Sequence, residues 1–213
     1  MTDKASDLVI RPARVDDVDA ALPLIYSSGP EVWDLLFGNG EAESSFPYLR
    51  EEWLSGKGIG GYRAHWVAER DGVVLGAVAV YDHAEHKRQG DQTAKHALKY
   101  FGWRVLLRVR LMLRVSKSFM KPPGKDVDYV ANFGVAAEAR GQGIGGAMLQ
   151  HFLERAAERG KRFYELDVSL DNPRGEALYA RFGMKVIREN HDAVFEKRGL
   201  VGTRRMQMAV PKS

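Results

Sequence analysis

Short apolar runs, separated by glycine and polar turns, dominate the first part of the chain. Alternating or continuous apolar residues in these runs predict strands, and apolar spacings of three and four residues predict helices. Asp71 and Gly72 form a dipeptide that tolerates positive φ and predicts a tight hairpin turn between two of the strands. The predicted strands are LVIRPA, AHWVAER and VVLGAVAVY, and the predicted helices are RVDDVDAALPLIYSS, GPEVWDLLFG and FPYLREEWLSG.

The second part of the chain alternates strands and helices in a regular order. A helix is predicted from Gly143 to about Arg159, with Gly160 ending it. Because this helix lies between two apolar runs, it predicts neighbouring strands joined by a helical crossover. The fold class is therefore a mixed α/β sheet protein. The elements in order are strand DYVANFGV, that helix, strand RFYELDV, helix PRGEALYARF, strand MKVIREN, a loop and strand TRRMQMAV.

The composition is that of an ordinary globular protein and excludes several kinds of catalytic site. The chain has 213 residues, of which 45% are hydrophobic and 28% charged. It contains no cysteine, which excludes disulfides, thiolate metal sites and covalent thio-intermediates on the protein. The N-terminal MTDKASD has no apolar secretory segment, and the longest apolar run is too short to span a bilayer. We therefore expect a cytoplasmic protein.

Positive charge is concentrated in one segment. Residues 84–125 contain 11 Lys and Arg against 2 Asp and Glu, whereas the rest of the chain has a net negative charge. This segment interrupts the predicted fold between its third and fourth strands. We expect residues 1–213 to form a single domain with a basic helical insertion at about residues 84–125. Because the basicity is local and no base-stacking aromatic element is evident, we expect no nucleic-acid partner.

A glycine-dense turn, RGQGIG, follows the strand DYVANFGV. Unpaired amides and the dipole at a helix start favour phosphate, and glycine lets the anion approach closely. The turn could also need glycine for its geometry alone. Gly141, Gly143 and Gly146 spell the G-x-G-x-x-G of a dinucleotide site, with acidic residues about 20 positions further on. That alternative is disfavoured, because AAEAR separates the strand from Gly141 and three strands come first.

Two segments together resemble a known family. VAAEARGQGIGGAML resembles the acetyl-CoA-binding segment of the GNAT N-acetyltransferase superfamily, whose Gln/Arg-x-x-Gly-x-Gly/Ala pattern is met by Arg140, Gly143 and Gly145. DNPRGEALYARFGMK is similar to the family's second segment, with Gly175 where Ala is usual and Met184 where Phe is usual. The resemblance covers most of the chain outside the basic insertion. It implies a GNAT-like fold, in which a mostly antiparallel central sheet contains a splayed pair of parallel strands and is flanked by helices.

The resemblance implies acetyl-CoA as cosubstrate and indicates how it would bind. The pyrophosphate would lie on the amides of the glycine turn, and the pantetheine arm would pair with the preceding strand as an added strand. A bulge at Gly134 would splay that strand from RFYELDV, and an amide near Val135 would face the thioester oxygen. The expected cofactor-binding residues are Phe133, Val135, Arg140, Gly141, Gln142, Gly143, Ile144, Gly145, Gly146, Asn172 and Tyr179.

The reaction implied by the resemblance is acetyl transfer to a primary amine by direct attack in a ternary complex. Tyr179 matches the family position for the group that protonates the departing thiolate. Its alternative role is packing beside Leu178 and Phe182. Asn172 could help to bind the coenzyme, but an Asn before Pro is also an ordinary helix cap.

The general base is not fixed by the pattern. Asp128 or Glu165 could accept the proton of the amine directly or through water, and each also fits a structural carboxylate. Asp128 and Asn132 are expected to share one face of their strand. His65 fits a hydrogen-bonded sheet residue better than a base. YDHAEHKR contains candidate metal ligands but predicts a solvated loop, and no metal is expected.

The basic insertion predicts one long helix or two. The simplest explanation of its pattern is packing on the sheet or on a second subunit, which would make a homodimer. The alternatives are a helix on an anionic membrane surface and a cationic wall for an acidic substrate or partner. Leu106, Leu107 and Leu111 lie off the main apolar side, so we expect more than one face of the segment to be covered. On a helical wheel the apolar residues on the main side are Leu98, Phe101, Val105, Val109, Met112, Phe119 and Met120.

The acceptor amine stays open among a small metabolite, an aminoglycoside, a peptide N-terminus and a lysine. Acidic residues in SSGPEVWDLLFGNGEAESS favour a cationic amine. Two other functions are compatible with the same turn. One is an NAD(P)-dependent oxidoreductase, and the other is an acyl-CoA-binding module without catalysis.

Overall fold

A computed structural model describes residues 7–119 and 121–211 of the chain. The strands within them are β1 (Val9–Pro12), β2 (His65–Arg70), β3 (Val73–Tyr81), β4 (Val127–Val135), β5 (Phe163–Ser169), β6 (Lys185–Asn190) and β7 (Thr203–Ala209). They form a single seven-stranded sheet in the order β1-β2-β3-β4-β5-β7-β6. Neighbours are antiparallel except β4 and β5, which are parallel. The predicted mixed α/β sheet is confirmed.

Helices occupy the segments that the apolar spacing predicts. Those in the described residues are α1 (Val18–Tyr26), α2 (Pro30–Phe37), α3 (Phe46–Ser55), α4 (His83–Phe101), α5 (Val105–Ser118), α6 (Ile144–Glu158), α7 (Pro173–Arg181) and α8 (Ala193–Glu196). The loop predicted before β7 contains the short α8, capped by Asp192, whose side chain accepts from the amide of Val194. YDHAEHKR, also predicted as a loop, caps and begins α4. Within the described part of the chain, no helix is long and apolar enough to cross a membrane.

Two apolar layers enclose the sheet. Adjacent residues of β2, Val67 and Ala68, belong to different buried clusters because successive side chains of a strand point to opposite faces. One cluster joins the sheet to α6 and α7, and α6 makes the predicted crossover between β4 and β5. The other joins the sheet to α1, α2, α3 and the inner side of α5. The site described below lies at the carboxyl end of β4, between these layers.

The insertion forms two helices with different buried faces. Gly102–Arg104 form a 3-10 turn between α4 and α5, and Gly102 has φ +58°. This break resets the helical phase, so the apolar side predicted from Leu98 to Met120 is not continuous across the two helices. Val105 and Phe119 are buried as expected, but Leu98, predicted on the same side, is 56% exposed. Met120, also part of that prediction, lies outside the described residues.

A buried carboxyl joins α3 to the insertion. Glu52 is completely buried, and the hydroxyl of Thr93 in α4 donates to its Oε1 at 2.6 Å. The same hydroxyl accepts from the amide of Ile59 at 2.7 Å. Oε2 of Glu52 has no hydrogen-bond partner among the described residues. Burial raises the pKa of Glu52 to about 7.

Glu52→Gln is expected to change how stability depends on pH. The pKa of Glu52 is about 7 in the folded protein, above its ordinary value of 4.5, so its ionisation opposes folding as pH rises from about 4.5 to 7. Gln stays neutral and keeps an acceptor for Thr93. We therefore expect the variant to be more stable than the wild type at pH 8, by up to about 3 kcal/mol, and similar to it near pH 4.5. Urea denaturation at both pH values measures this.

Glu51→Gln is the matched control, because Glu51 is exposed on the same helix. If Glu52→Gln and the wild type showed parallel pH profiles of the free energy of unfolding, the buried carboxyl would not be a source of the dependence.

Candidate active site

The glycine turn leaves the first amides of α6 without intrahelical partners. β4 ends at Val135, a 3-10 turn covers Ala137–Ala139, and α6 begins at Ile144. Gly141 and Gly143 have φ of +79° and +81°, left-handed values that L side chains rarely adopt. A Cβ on Gly143 would meet no atom within 4 Å, so the positive φ and not crowding requires glycine. The open space and the unpaired amides make this turn a ready site for an anion.

Side chains of the turn fix it to the sheet. Gln142 accepts from Arg70 of β2 at 3.0 Å and donates to the carbonyl of Glu138 at 3.1 Å. Arg140 is exposed, and its Nε lies 3.3 Å from the carbonyl oxygen of Val135. The guanidinium therefore lies near the end of β4 without an ion pair to a described carboxylate.

A cleft opens between β4 and β5 toward the glycine turn. The two strands pair only from Val127 to Val130, opposite Phe163 to Leu166. Beyond this point β4 continues beside β3, and β5 continues beside β7. The facing edges of β4 and β5 are unpaired there, so their amides and carbonyls are available to an extended ligand. The expected splayed pair of parallel strands is confirmed.

The bulge that splays β4 lies at Asn132, and not at Gly134 as predicted. Ala131 pairs with Ala79 and Gly134 with Ala77, so two residues of β4 stand opposite one of β3. Asn132 has φ +52°, and Asn tolerates this conformation better than most residues. Gly134 is required for a different reason, because a Cβ there would lie 2.1 Å from the carbonyl oxygen of Leu24 in α1.

Tyr179 and Phe133 meet beside the open half of the cleft. Tyr179 in α7 is 7% exposed, and its ring centroid lies 6.2 Å from that of Phe133 in β4. Burial raises the pKa of the Tyr179 phenol, so the hydroxyl stays protonated at neutral pH. Burial is the only cause of this shift, and no hydrogen bond of the hydroxyl is found within the described residues. A buried, protonated and uncommitted phenol is a suitable proton donor.

Asn172 caps the helix that carries Tyr179. Its side-chain oxygen accepts from the amide of Gly175 at 2.9 Å, as expected of an ordinary N-cap. A Cβ on Gly175 would lie 2.7 Å from the Asn172 side-chain nitrogen, so a larger residue there would displace the capping side chain. At the start of α6, a Cβ on Gly145 would lie 3.1 Å from Leu178 of α7. The two motifs are therefore packed against each other.

The structure does not bring Asp128 to this cleft. Val135 lies seven residues further along β4, about 20 Å away in an extended strand. Asp128 is buried and ion-paired with Arg159 at the other end of α6, and burial raises its pKa. The prediction that it shares a face with Asn132 is wrong. Asp128 faces α6, whereas the bulge turns Asn132 to the other side of the sheet.

Glu165 also lies in the closed half of the strand pair. It is 6% exposed, accepts from Gln207 at 2.5 Å and lies 3.5 Å from Arg205. Asp167 shares its face of β5 and accepts from Tyr129 at 2.8 Å and from Arg205. This buried network holds β4, β5 and β7 together on the face opposite Tyr179.

A histidine and an asparagine meet behind the bulge, and sequence reasoning did not pair them. His65 is buried, with Nδ1 2.8 Å from the carbonyl of Gly61 and Nε2 3.1 Å from Nδ2 of Asn132. Burial lowers the pKa of His65 to about 4, so the neutral ring donates from Nδ1 and accepts at Nε2. The preferred interpretation of His65 as a hydrogen-bonded sheet residue is confirmed. The second amide hydrogen of Asn132 binds the carbonyl of Ile59.

Asn132→Ala is expected to destabilise the fold more than Asn132→Gly. Both lose the hydrogen bonds to His65 and Ile59, at about 1–2 kcal/mol in total. Ala also has to adopt positive φ, which adds about 1 kcal/mol that glycine avoids. Urea denaturation of the two variants measures the difference. Equal destabilisation of the two variants would show that the backbone conformation is not what selects Asn here.

Comparison with known proteins identifies the family of the chain. The model of the Acetyltransferase (GNAT) family matches residues 30–184, which include β4, the glycine turn and the whole of α7. The chain belongs to the GNAT acetyltransferase family. Its sheet, with one parallel pair among antiparallel neighbours, also differs from the parallel sheet of a dinucleotide-binding domain.

Individual proteins are similar to the chain over different lengths. L-2,4-diaminobutyric acid acetyltransferase of Nocardia farcinica (strain IFM 10152) is 34% identical over 62 residues, which cover 29% of this chain and only about a third (32%) of that relative. A crystal structure of an acetyltransferase has a TM-score of 0.68 at 23% identity and covers 95% of this chain and 100% of its own. The N-acetyltransferase from Staphylococcus aureus Mu50 has a TM-score of 0.63 at 19% identity, covering 94% and 100%. The two structures establish the fold.

Proposed function

We propose that the protein is an acetyl-CoA-dependent N-acetyltransferase that acetylates a primary amine by direct attack in a ternary complex. One observation carries the proposal. The unpaired edges of β4 and β5 open at the same end of the sheet as the free amides of α6. The extended pantetheine arm, which carries the thioester, needs an unpaired strand edge, and the pyrophosphate needs free amides beside that edge.

The main chain of the turn would hold the diphosphate. The amides of Ile144, Gly145 and Gly146 are the first of α6, and the dipole of this 15-residue helix adds to their attraction for an anion. Arg140 can add a charge-assisted contact from its exposed guanidinium. The pantetheine arm would pair with β4 near Phe133 and Val135. Asn172 contributes by fixing the start of α7.

Acetyl transfer can then proceed with few protein groups. The neutral amine attacks the thioester carbon, a C–N bond forms, and an amide near Val135 stabilises the charge on the oxygen. When the C–S bond breaks, the hydroxyl of Tyr179 protonates the thiolate. The proton lost by the amine restores the tyrosine through solvent. Because Asp128 and Glu165 are held in ion pairs in the closed half of the strand pair, we propose neither as a direct base.

The acceptor is proposed to be a small cationic amine. Glu31, Glu41 and Glu43 are exposed between α1 and α3. Asp34 in the same segment is not available to a substrate, because it is buried and accepts from Tyr26 at 2.6 Å and Ser45 at 2.7 Å. The name of the diaminobutyrate-acetylating relative supports the same substrate class.

A thiol-release assay tests the proposal. Purified protein is incubated with acetyl-CoA and, in separate reactions, diamino acids, polyamines, aminoglycosides and peptides with a free N-terminus. Since the chain has no cysteine, the protein itself contributes no thiol signal, and reactions without amine give the background from thioester hydrolysis. Amine-dependent release supports the acetyltransferase. Tight acetyl-CoA binding without release with any amine would favour the acyl-CoA-binding module instead.

A further inference from the structure

The outer side of α5 carries large apolar residues that no other part of the described chain covers. Trp103 is 71% exposed, Leu106 69%, Val109 37% and Leu113 56%. Leu106, Val109 and Leu113 follow each other at spacings of three and four residues and so lie on one side of α5, and Trp103 lies in the 3-10 turn just before the helix. We call these four residues the outer stripe. An exposed tryptophan just before a helix with exposed leucines along one side is unusual for a surface that faces only water.

The outer stripe is distinct from the side of α5 that packs on the protein. Val105 and Val115 are buried in the core cluster. Arg108 also points inward, since it donates to the carbonyl of Leu36 at 2.9 Å and lies 4.5 Å from the centre of the Phe101 ring. The helix is therefore already anchored by one side. Its second apolar side is not needed for folding onto the sheet.

Cations surround the outer stripe, and carboxylates are missing from its neighbourhood in the sequence. Residues 92–125 contain nine Lys and Arg and no Asp or Glu. Arg104, Arg110 and Lys117 are exposed, and none forms an ion pair within the described residues. Arg114 differs, because Asp192 binds it at 2.8 Å. Three cations without an ion pair thus lie on or beside the outer stripe, and the guanidinium of Arg104 lies 5.9 Å from the centre of the Trp103 ring.

We propose that the outer stripe binds the surface of an anionic lipid bilayer, with α5 lying in the plane of the interface. Tryptophan and leucine would enter the boundary between headgroups and acyl chains, and Arg104, Arg110 and Lys117 would contact anionic headgroups. Charge complementarity favours this partner over a second copy of the chain, because two such cationic faces would repel each other. The proposal does not depend on acetyl transfer.

Tryptophan fluorescence provides a direct test. Trp103 is highly exposed, whereas Trp33 and Trp53 are buried. On adding vesicles of phosphatidylcholine with about a third phosphatidylglycerol, we expect a blue shift and quenching by brominated acyl chains. Vesicles of phosphatidylcholine alone should cause neither change. Quenching lost in Trp103→Phe, while that variant still sediments with the vesicles, assigns the signal to this residue.

Double substitutions test whether vesicle binding depends on the outer stripe or on exposed apolar residues in general. Leu106→Ser with Leu113→Ser, and separately Arg110→Gln with Lys117→Gln, are each expected to weaken sedimentation with anionic vesicles by at least about tenfold. The matched control is Val186→Ser with Ile187→Ser, because these residues are 43% and 50% exposed on the edge strand β6. Circular dichroism checks that all variants are folded.

Three results would overturn the proposal. The first is no binding to anionic vesicles at low salt. The second is equal binding by the stripe variants and the wild type. The third is concentration-dependent dimerisation that the leucine variants abolish, which would assign the outer stripe to a second copy of the chain.

Discussion

Gly143→Trp is expected to lower the affinity for acetyl-CoA by more than about 100-fold. The indole would occupy the open space in front of the first amides of α6, where the proposed diphosphate binds. Loss of several amide contacts and of the favourable helix dipole is sufficient for an effect of this size. The fold should survive, because a Cβ at Gly143 meets no neighbour and the cost of positive φ is about 1–2 kcal/mol. Calorimetric titration measures the affinity.

Gly160→Trp is the control for that experiment. Gly160 follows the other end of the same helix, has φ +66° and also offers open space to a Cβ. The two variants therefore carry the same substitution with similar backbone strain. Comparable acetyl-CoA affinity in both would contradict the assignment of the glycine turn as the phosphate site.

Tyr179→Phe is expected to lower kcat by about 10²–10³-fold while the affinity for acetyl-CoA changes by less than about threefold. Phe keeps the packing against Phe133 and removes only the hydroxyl that would protonate the thiolate. Because burial raises the pKa of Tyr179, the wild-type phenol does not ionise near neutral pH. The decrease in kcat should therefore be similar at pH 7 and pH 8. The amine found in the thiol-release assay supplies the substrate for this measurement.

Tyr164→Phe makes the same change in the same apolar cluster. Tyr164 is fully buried, and its hydroxyl has no partner among the described residues, so its removal should preserve kcat and leave stability equal or slightly higher. If Tyr179→Phe kept full activity, the alternative that Tyr179 only packs in the core would be correct.

The parts of the fold that depend on local sequence could be predicted. Periodicity and turn residues placed the strands and nearly all helices, and the glycines at 141 and 143 marked a turn whose positive φ values the structure confirms. The two family segments predicted a pair of motifs that meet in space, as Gly145 and Leu178 do. These features depend on residues that are close in the sequence, or on whole motifs that occur in a fixed order.

Features that depend on distant neighbours could not be predicted. The glycine at 134 suggested a bulge, but glycine is needed there because α1 approaches, and the bulge itself uses Asn132. The bulge also decides the side of the sheet to which Asn132 points. The prediction that Asn132 and Asp128 share one face was therefore wrong as well. Glu52 occupies an ordinary helical position, and only the packing of α4 over α3 buries it. The contact between His65 and Asn132 depends on how their strands align in the sheet.

We propose that the turn between β4 and α6 binds the diphosphate of coenzyme A. Calorimetric titration of the purified protein with acetyl-CoA, and separately with NADH, tests it most directly. We predict micromolar binding of acetyl-CoA at one site per chain and no detectable binding of NADH. NADH binding without acetyl-CoA binding would contradict the account and assign the turn to a dinucleotide.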